Sequence, residues 1–244
     1  MKAVILCGGF GKRLGKLTSN CPKPLLKFNN RSIIEWQILN LKKVGVNEIF
    51  INLHYLSERI KDYLGNGNKF SIKINYLFQN ELTGTAGGVK IFEKQLKNEK
   101  YFFVFYGDIL MYEDLSKLIH FHETRKADCS IYFHENQNSN SLLYLDESNG
   151  MIKDLIERPN LIDKKNFIKK NNVKTYYSNS SIYLMNSVVL NFISENTYSD
   201  FPRDIFPKII ENKKLFGIKI EHKRYAIDSI EKYKLAKKHF KLNI

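Results

Sequence analysis

The stretch KAVILCGGFGKRL, Lys2 to Leu14, decides how the rest of the chain is read. Lys2–Cys7 reads as a buried strand, an apolar run of strand length that stops at Gly8-Gly9. In α/β sheets, ligands bind beyond the carboxyl ends of strands. There Gly8, Gly9 and Gly11 let the backbone turn tightly and present N–H groups to an anion. Two familiar nucleotide fingerprints fail on this loop. A GxGxxG pattern starting at Gly9 would need glycine where Leu14 stands. A Walker loop would need Ser or Thr after Gly11-Lys12, and Arg13 is there instead. What remains is a phosphate cradle with a guanidinium built in; taken alone, the loop reads equally as a plain tight turn.

Outward from that loop, apolar runs of strand length alternate with helical patterns. Ser32–Val44 carries Ile33, Ile34, Trp36, Ile38, Leu39 and Leu41 at helical spacing and is ended by Gly45. Strands are predicted at Glu48–Leu53, Ser71–Phe78, Tyr101–Tyr106 and Cys129–His134, and helices at Glu58–Leu64, Ala86–Leu96 and Leu115–Lys126. This order predicts a mostly parallel, Rossmann-like sheet flanked by helices, with right-handed crossovers. After His134 the pattern becomes short strands in Asn- and Lys-rich loops, with short helices near Val188–Ile193 and Arg203–Ile210 and a closing helix at Ser229–Phe240. The expected organisation is one domain, 1–244. It holds a nucleotide-binding lobe at 1–135 and a smaller mixed α+β lobe with the closing helix at 136–244.

The chain has 244 residues and a formal charge of +14. Such a charge suggests a polyanion partner. Against that, only 7 of the 39 basic residues are Arg, the usual bidentate reader of phosphate and guanine. The lysines are also scattered, with no run of four basic residues. The reading is a solvated basic surface, with neither nucleic acid nor membrane as partner. Cys7, Cys21 and Cys129 are odd in number and lack metal-ligand spacing. The N-terminus has no signal-peptide pattern, so a reducing cytoplasm is expected.

Pro22-Lys23-Pro24 places a lysine between two residues that restrict the backbone, which suits a preset charge. Gly8, Gly9, Gly11, Arg13 and Leu14, followed by Pro22, Lys23 and Pro24, resemble the GGxGxRL…PKP signature of the sugar-1-phosphate nucleotidyltransferases. Gln79 and Gly84-Thr85-Ala86-Gly87-Gly88 resemble that family's base-reading Gln and GTAG segment. Gly107-Asp108, Glu157-Arg158-Pro159, Asn179 with Tyr183, and Asp228 continue the likeness. The resemblance implies nucleotide contacts at Leu6, Gly8, Gly9, Gly11, Arg13, Gln79, Gly84 and Thr85, and catalytic roles for Arg13, Lys23 and Asp108. It implies sugar-phosphate contacts at Glu157, Arg158 and Asn179, and Mg²⁺ held by Asp108 and Asp228. The partners implied are a nucleoside triphosphate and a sugar 1-phosphate, and the resemblance is compatible with a homo-oligomer.

Asp108 follows an uncharged strand, and Asp114 is the better cap for the next helix. Asp228 has a competing reading as N-cap of a capping box, Asp228-Ser229-Ile230-Glu231. Other positions depart from the family: Asn140-Ser141 stands for Tyr-Gly, Ser181 for Gly, Arg158 for Lys, and Ala226 for Trp. The CGGFGKRL loop and chain length look most like guanylyltransferases for mannose or D-glycero-D-manno-heptose 1-phosphate, enzymes of bacterial surface-polysaccharide synthesis. The chain is expected to lack a left-handed β-helix domain. The altered sugar pocket leaves open a cytidylyl- or uridylyltransferase for another sugar phosphate or for phosphocholine. A basic nucleic-acid-binding or regulatory protein on the same fold is the reading outside enzymes.

Overall fold

The computed structural model describes residues 1–136 and 141–240. It is a mixed α/β chain whose strands are flanked by helices, as the alternation predicts, and it divides into two compact units. The first holds Met1–Leu82, Phe103–Leu115 and the chain from Glu221 on; the second holds Thr83–Phe102 and Ser116–Ile220.

In the first unit the strand order is Lys73–Phe78, Glu48–Leu53, Lys2–Leu6 and then the strand Tyr101–Tyr106 from Phe103 on. The first three run parallel, with Lys2 opposite Glu48 and Glu48 opposite Lys73. The strand predicted from Ser71 starts two residues later, because Asn68–Phe70 closes a 3-10 turn and Ser71 itself is left-handed. The helix Ile33–Lys43 begins at a capping box. Ser32 Oγ accepts the Glu35 N–H at 3.3 Å, and Glu35 Oε2 accepts the Ser32 N–H at 2.8 Å. That pairing satisfies two donors a helix start otherwise leaves open.

A hydrophobic cluster in this unit joins segments far apart in sequence: Leu14, Leu26, Phe28, Ile33, Trp36, Leu110, Tyr225, Ile227, Ala236 and Phe240. Trp36 meets the Phe240 ring edge-on at 5.3 Å and donates its indole N–H to the Phe28 carbonyl at 2.9 Å. The cluster carries a two-residue antiparallel ribbon, Ile109–Leu110 with Tyr225–Ala226. Buried Gln37 braces the same place, donating through Nε2 to the carbonyls of Tyr106 and Ile109, each at 2.9 Å.

The second unit orders its strands Tyr177–Asn186, Cys129–Glu135, Leu215–Lys219, Met151–Glu157, Ser141–Asp146. Among the described residues, the Cys129–Glu135 and Leu215–Lys219 pair is parallel and the other pairings given within this unit are antiparallel. The helix expected over Ala86–Leu96 is two, Gly84–Lys90 and Glu93–Leu96. A helix at Leu161–Asn171, capped by Asn160, stands where the sequence reads as loop. Its one fully buried residue is Phe167, too little apolar surface for a helical period to register. Among the described residues, no helix is long and apolar enough to cross a membrane.

Buried His122 in this unit pairs with Ser130 Oγ and Asn186 Oδ1, each at 2.9 Å. Burial holds its imidazole below the ordinary histidine range, against the opposing Asn186 bond and Asp128 charge. The folded chain therefore binds that proton less readily than the unfolded chain. This contribution to stability is complete above the unfolded pKa of ~6.5 and is lost as pH falls below it. Urea midpoints across acid pH should drop less steeply in His122→Gln; equal slopes would contradict the assignment. Ser32→Ala should cost about 1 kcal/mol in the same unfolding measurement at neutral pH.

Candidate functional site

The first unit gathers the glycine loop, Lys23, Gln79 and both aspartates. Leaving the Lys2–Leu6 strand, the Cys7 N–H donates to Asn52 Oδ1 at 2.8 Å. Burial first, and the Asp108 charge second, push the Cys7 thiol far above its ordinary range, so it is an inert core group. The loop then surfaces at Gly9 and Phe10. Gly11 has φ +69°, and its carbonyl accepts from the Leu14 N–H at 2.9 Å and Thr18 Oγ at 3.0 Å. These bonds start the turn Lys12–Thr18, which buries Leu14 and leaves the Arg13 side chain 71% exposed. A Cβ at Gly11 would lie 3.2 Å from both Lys23 Cγ and Thr18, so the loop is fitted against Lys23.

Lys23 sits in a 3-10 turn between Pro22 and Pro24, closed by the Leu26 N–H to its carbonyl at 3.0 Å. Its ammonium lies 2.9 Å from Asp108 Oδ2, with the lysine side chain 13% and the aspartate 30% exposed. Asp108 follows Gly107, where a Cβ would strike the Leu6 carbonyl at 2.8 Å; only glycine lets the two strand ends approach this closely. On the other side, the Asp108 carbonyl accepts the Ile227 N–H at 2.9 Å. The ribbon thus sets Asp228 one residue beyond the partner of Asp108. Asp228 Oδ1 lies 2.8 Å from Lys232 Nζ, and Oδ2 lies 3.7 Å from Arg13 Nη1.

The capping-box reading of Asp228 is corrected by one residue. The N-cap of the last helix, Ile230–His239, is Ser229, whose side chain accepts the Lys232 N–H at 3.3 Å. Asp228 lies outside that helix start and its carboxylate faces cations instead. Two hard oxygen donors beside a phosphate-type loop suit Mg²⁺, which takes one or two carboxylates and fills the rest of its shell with water and substrate phosphates. A different grouping, Glu113, Glu221 and His222, keeps its ligand atoms within 4.8 Å. There the buried Glu113 carboxylate already accepts the His222 N–H at 2.6 Å and the Glu221 N–H at 3.3 Å, and so serves as a loop clamp.

Gln79 is buried and held by three successive residues of the neighbouring strand end. Its N–H donates to the Leu53 carbonyl at 2.8 Å, its carbonyl meets His54 Nδ1 at 2.8 Å, and its Oε1 accepts from Asn52 Nδ2 at 2.9 Å. Sequence reasoning missed Asn52. An amide buried inside the apolar run Ile49–Leu53 was the available signal.

The second unit holds the remaining predicted residues. Gly84 and Thr85 open the helix Gly84–Lys90. The Thr85 N–H and hydroxyl both donate to Asp200 Oδ1 at 3.0 Å, and Thr85 Oγ accepts the Phe201 N–H at 3.0 Å. Asp200, also missed, therefore clamps the GTAG segment. Glu157 ends its strand opposite Ser141, with Arg158 Nε 3.5 Å from its carboxylate. Burial raises the Glu157 pKa, against the Ser141 bond and the charges of Arg158 and Arg203. Arg158 itself is left-handed, at φ +49°. Asn179 Oδ1 accepts the Ser181 N–H at 2.9 Å and its Nδ2 donates to the Tyr183 hydroxyl at 2.6 Å. Between them Ser181 stands at φ +63°, inside a register shift of the strand pair. Serine here keeps the backbone shape that glycine would adopt freely. Asn140 lies outside the described residues.

A family model described as nucleotidyl transferase matches residues 2–225. Mannose-1-phosphate guanyltransferase 2 of Candida glabrata is 32% identical over 228 residues, covering 91% of this chain and 59% of that relative. The beta catalytic subunit of a mannose-1-phosphate guanylyltransferase from Dictyostelium discoideum is 30% identical over 224 residues, covering 91% and 59%. The chain spans less than two thirds of the length of these curated relatives. Among solved structures, HddC from Yersinia pseudotuberculosis superposes with a TM-score of 0.77 at 23% identity, covering 98% of this chain and 99% of its own. That likeness shows a shared fold.

Gly11→Ala should destabilise the chain by about 1–2 kcal/mol, the cost of a left-handed Cβ, and shift Lys23. Gly9→Ala, with open space and an ordinary φ, should leave the unfolding midpoint unchanged. Equal midpoints for both variants would contradict this reading of the loop.

Proposed function

The chain belongs to the nucleotidyl transferase family, and on that footing we propose that it joins a nucleoside triphosphate to a sugar 1-phosphate. The products are an NDP-sugar and pyrophosphate. GTP with mannose 1-phosphate or D-glycero-D-manno-heptose 1-phosphate is the substrate pair proposed, in line with the guanylyltransferase relatives and their printed names. A sugar-phosphate oxygen attacks the α-phosphorus; that P–O bond forms while the bond to the β-phosphate bridging oxygen breaks. The attacking oxygen is already anionic, so the step calls for placement and charge neutralisation rather than a general base.

The observation that carries the reading is the preset pair of Lys23 and Asp108 beside the glycine loop. In the reaction, backbone N–H groups of Gly8–Gly11 hold the triphosphate. Arg13, exposed and free to swing from Asp228, grips the leaving pyrophosphate. Lys23 neutralises charge where the two phosphates meet. Asp108 and Asp228 would hold Mg²⁺, which when bound offsets charge on the phosphate oxygens. In the second unit, Glu157 and Asn179 would receive sugar hydroxyls and Arg158 the sugar phosphate. Ser181 keeps the backbone turn of the family's glycine, which favours a sugar over phosphocholine as acceptor. The cytoplasm, where these substrates are made, is the proposed location.

Pyrophosphate release should be measured with four nucleoside triphosphates, Mg²⁺ and a panel of α-sugar 1-phosphates. Asp108→Asn and Arg13→Ala should each lower kcat by about 10²–10³, as loss of a preorganised charge-stabilising group does. Full activity in both variants would sink the mechanism.

A further inference from the structure

Asn52 sits beneath the glycine loop, 4% exposed, and makes one bond to each side of the nucleotide-binding region in the first unit. Its two bonds fix more than position. The Cys7 backbone N–H is a donor and nothing else, so the Asn52 atom 2.8 Å from it must be the carbonyl oxygen. The other arm of Asn52 is then its amino group, which can only donate. The Gln79 atom 2.9 Å from that amino group must therefore be Oε1. A single backbone N–H thus orients two side-chain amides in succession. Gln79 is left with its Nε2 group turned away from Asn52. That group carries two hydrogens, so it can serve a protein acceptor and a ligand acceptor together.

We propose that Asn52 is the positioning residue that sets which bases this chain accepts, by holding Gln79 with its donor face toward the base. A donor face matches the keto oxygens guanine O6 and uracil O4, and meets donor against donor where adenine and cytosine carry the exocyclic N6 and N4 amino groups instead. This inference rests on the nucleotidyl-transfer reading and adds the base class to it. It also explains a buried amide on an otherwise apolar strand, since an isolated buried amide would cost stability without such partners. Asn52 needs no contact with the substrate to act; it works through Gln79, and through Cys7 it keeps the phosphate loop in register with the base.

Asn52→Asp separates the two duties. Either carboxylate oxygen still accepts the Cys7 N–H, so the phosphate loop stays anchored. The other oxygen cannot donate to Gln79 Oε1, so the Gln79 amide turns over and offers its oxygen to the base. Gln79→Glu reaches the same end from the other side: one oxygen accepts from Asn52 and the other presents an acceptor outward. Calorimetric affinities for GTP, UTP, ATP and CTP, with inorganic tripolyphosphate as the base-free probe, test this at about pH 8, where carboxyls are ionised.

The wild-type chain should bind GTP and UTP at least roughly tenfold more tightly than ATP and CTP. Asn52→Asp should cut that keto-to-amino ratio roughly tenfold or invert it, with tripolyphosphate affinity unchanged. Gln79→Glu should cut the ratio likewise, because any added charge repulsion weakens all four nucleotides equally. An unchanged ratio in folded Asn52→Asp, or in Gln79→Glu should the first variant lose tripolyphosphate binding, overturns the inference while leaving nucleotidyl transfer standing. A wild-type chain that binds tripolyphosphate but prefers ATP or CTP also overturns it. A wild-type chain that binds none of the five overturns both readings.

Discussion

The site depends on the two-residue ribbon that pairs Ile109–Leu110 with Tyr225–Ala226. Without it, Asp108 and Asp228 belong to segments more than a hundred residues apart. With it, the Asp108 carbonyl takes the Ile227 N–H, and the two carboxylates are carried on neighbouring backbones. So short a ribbon is not stable alone. It holds because Leu110, Tyr225 and Ile227 are buried in one cluster with Leu14, Leu26 and Trp36. The same cluster anchors Leu14 beside Arg13, and Ile227 beside Asp228. Arg13 and Asp228 are thus each one residue away from a core anchor, and hydrophobic burial fixes polar geometry. Gln37 adds a polar brace from the helix side, filling the carbonyls that flank Gly107-Asp108.

Charge in this unit is arranged to be exchanged. Lys23 faces Asp108, while Arg13 and Lys232 face Asp228. The pairs of Arg13 and Lys232, whose cationic side chains are 71% and 54% exposed, contribute little to stability, about 0–1 kcal/mol each. On the proposed function, trading them for a triphosphate costs little. The arrangement also gives the formal charge of +14 a narrower meaning than a polyanion-binding surface would. Most lysines lie on the surface, where at most they raise the local concentration of anionic substrates. The few that matter are those that a rigid turn or a core neighbour holds in place.

Much of the fold was legible because several sheet strands are largely apolar runs of strand length. Glu48–Leu53 and Tyr101–Tyr106 have the bounds their sequence suggests. The helix Leu161–Asn171 was not legible, since it buries little beyond Phe167. The candidate site was legible where residue type sets chemistry: three glycines, a lysine between prolines, a carboxylate after a strand. It was not legible where tertiary pairing decides. Asp228 and Ser229 are equally good cap formers by composition. The ribbon places Ser229 at the helix start and turns Asp228 toward Lys232. Asn52, Gln37 and Asp200 were missed for the same reason, because their partners come from distant segments. Nor did the sequence signal that Arg158 and Ser181 adopt left-handed backbone at the predicted sugar side. Such strain concentrates at functional sites.

The central claim is that the ribbon makes Asp108 and Asp228 one shared ligand pair. The direct measurement is a crystal structure with Mn²⁺ in place of Mg²⁺ and a non-hydrolysable nucleoside triphosphate, with the metal located by its anomalous signal. The account predicts one Mn²⁺ bound by both carboxylates and by phosphate oxygen, with Lys23 and Arg13 moved from the aspartates onto phosphate. A metal bound by Asp108 alone, with Asp228 still paired to Lys232, would contradict it.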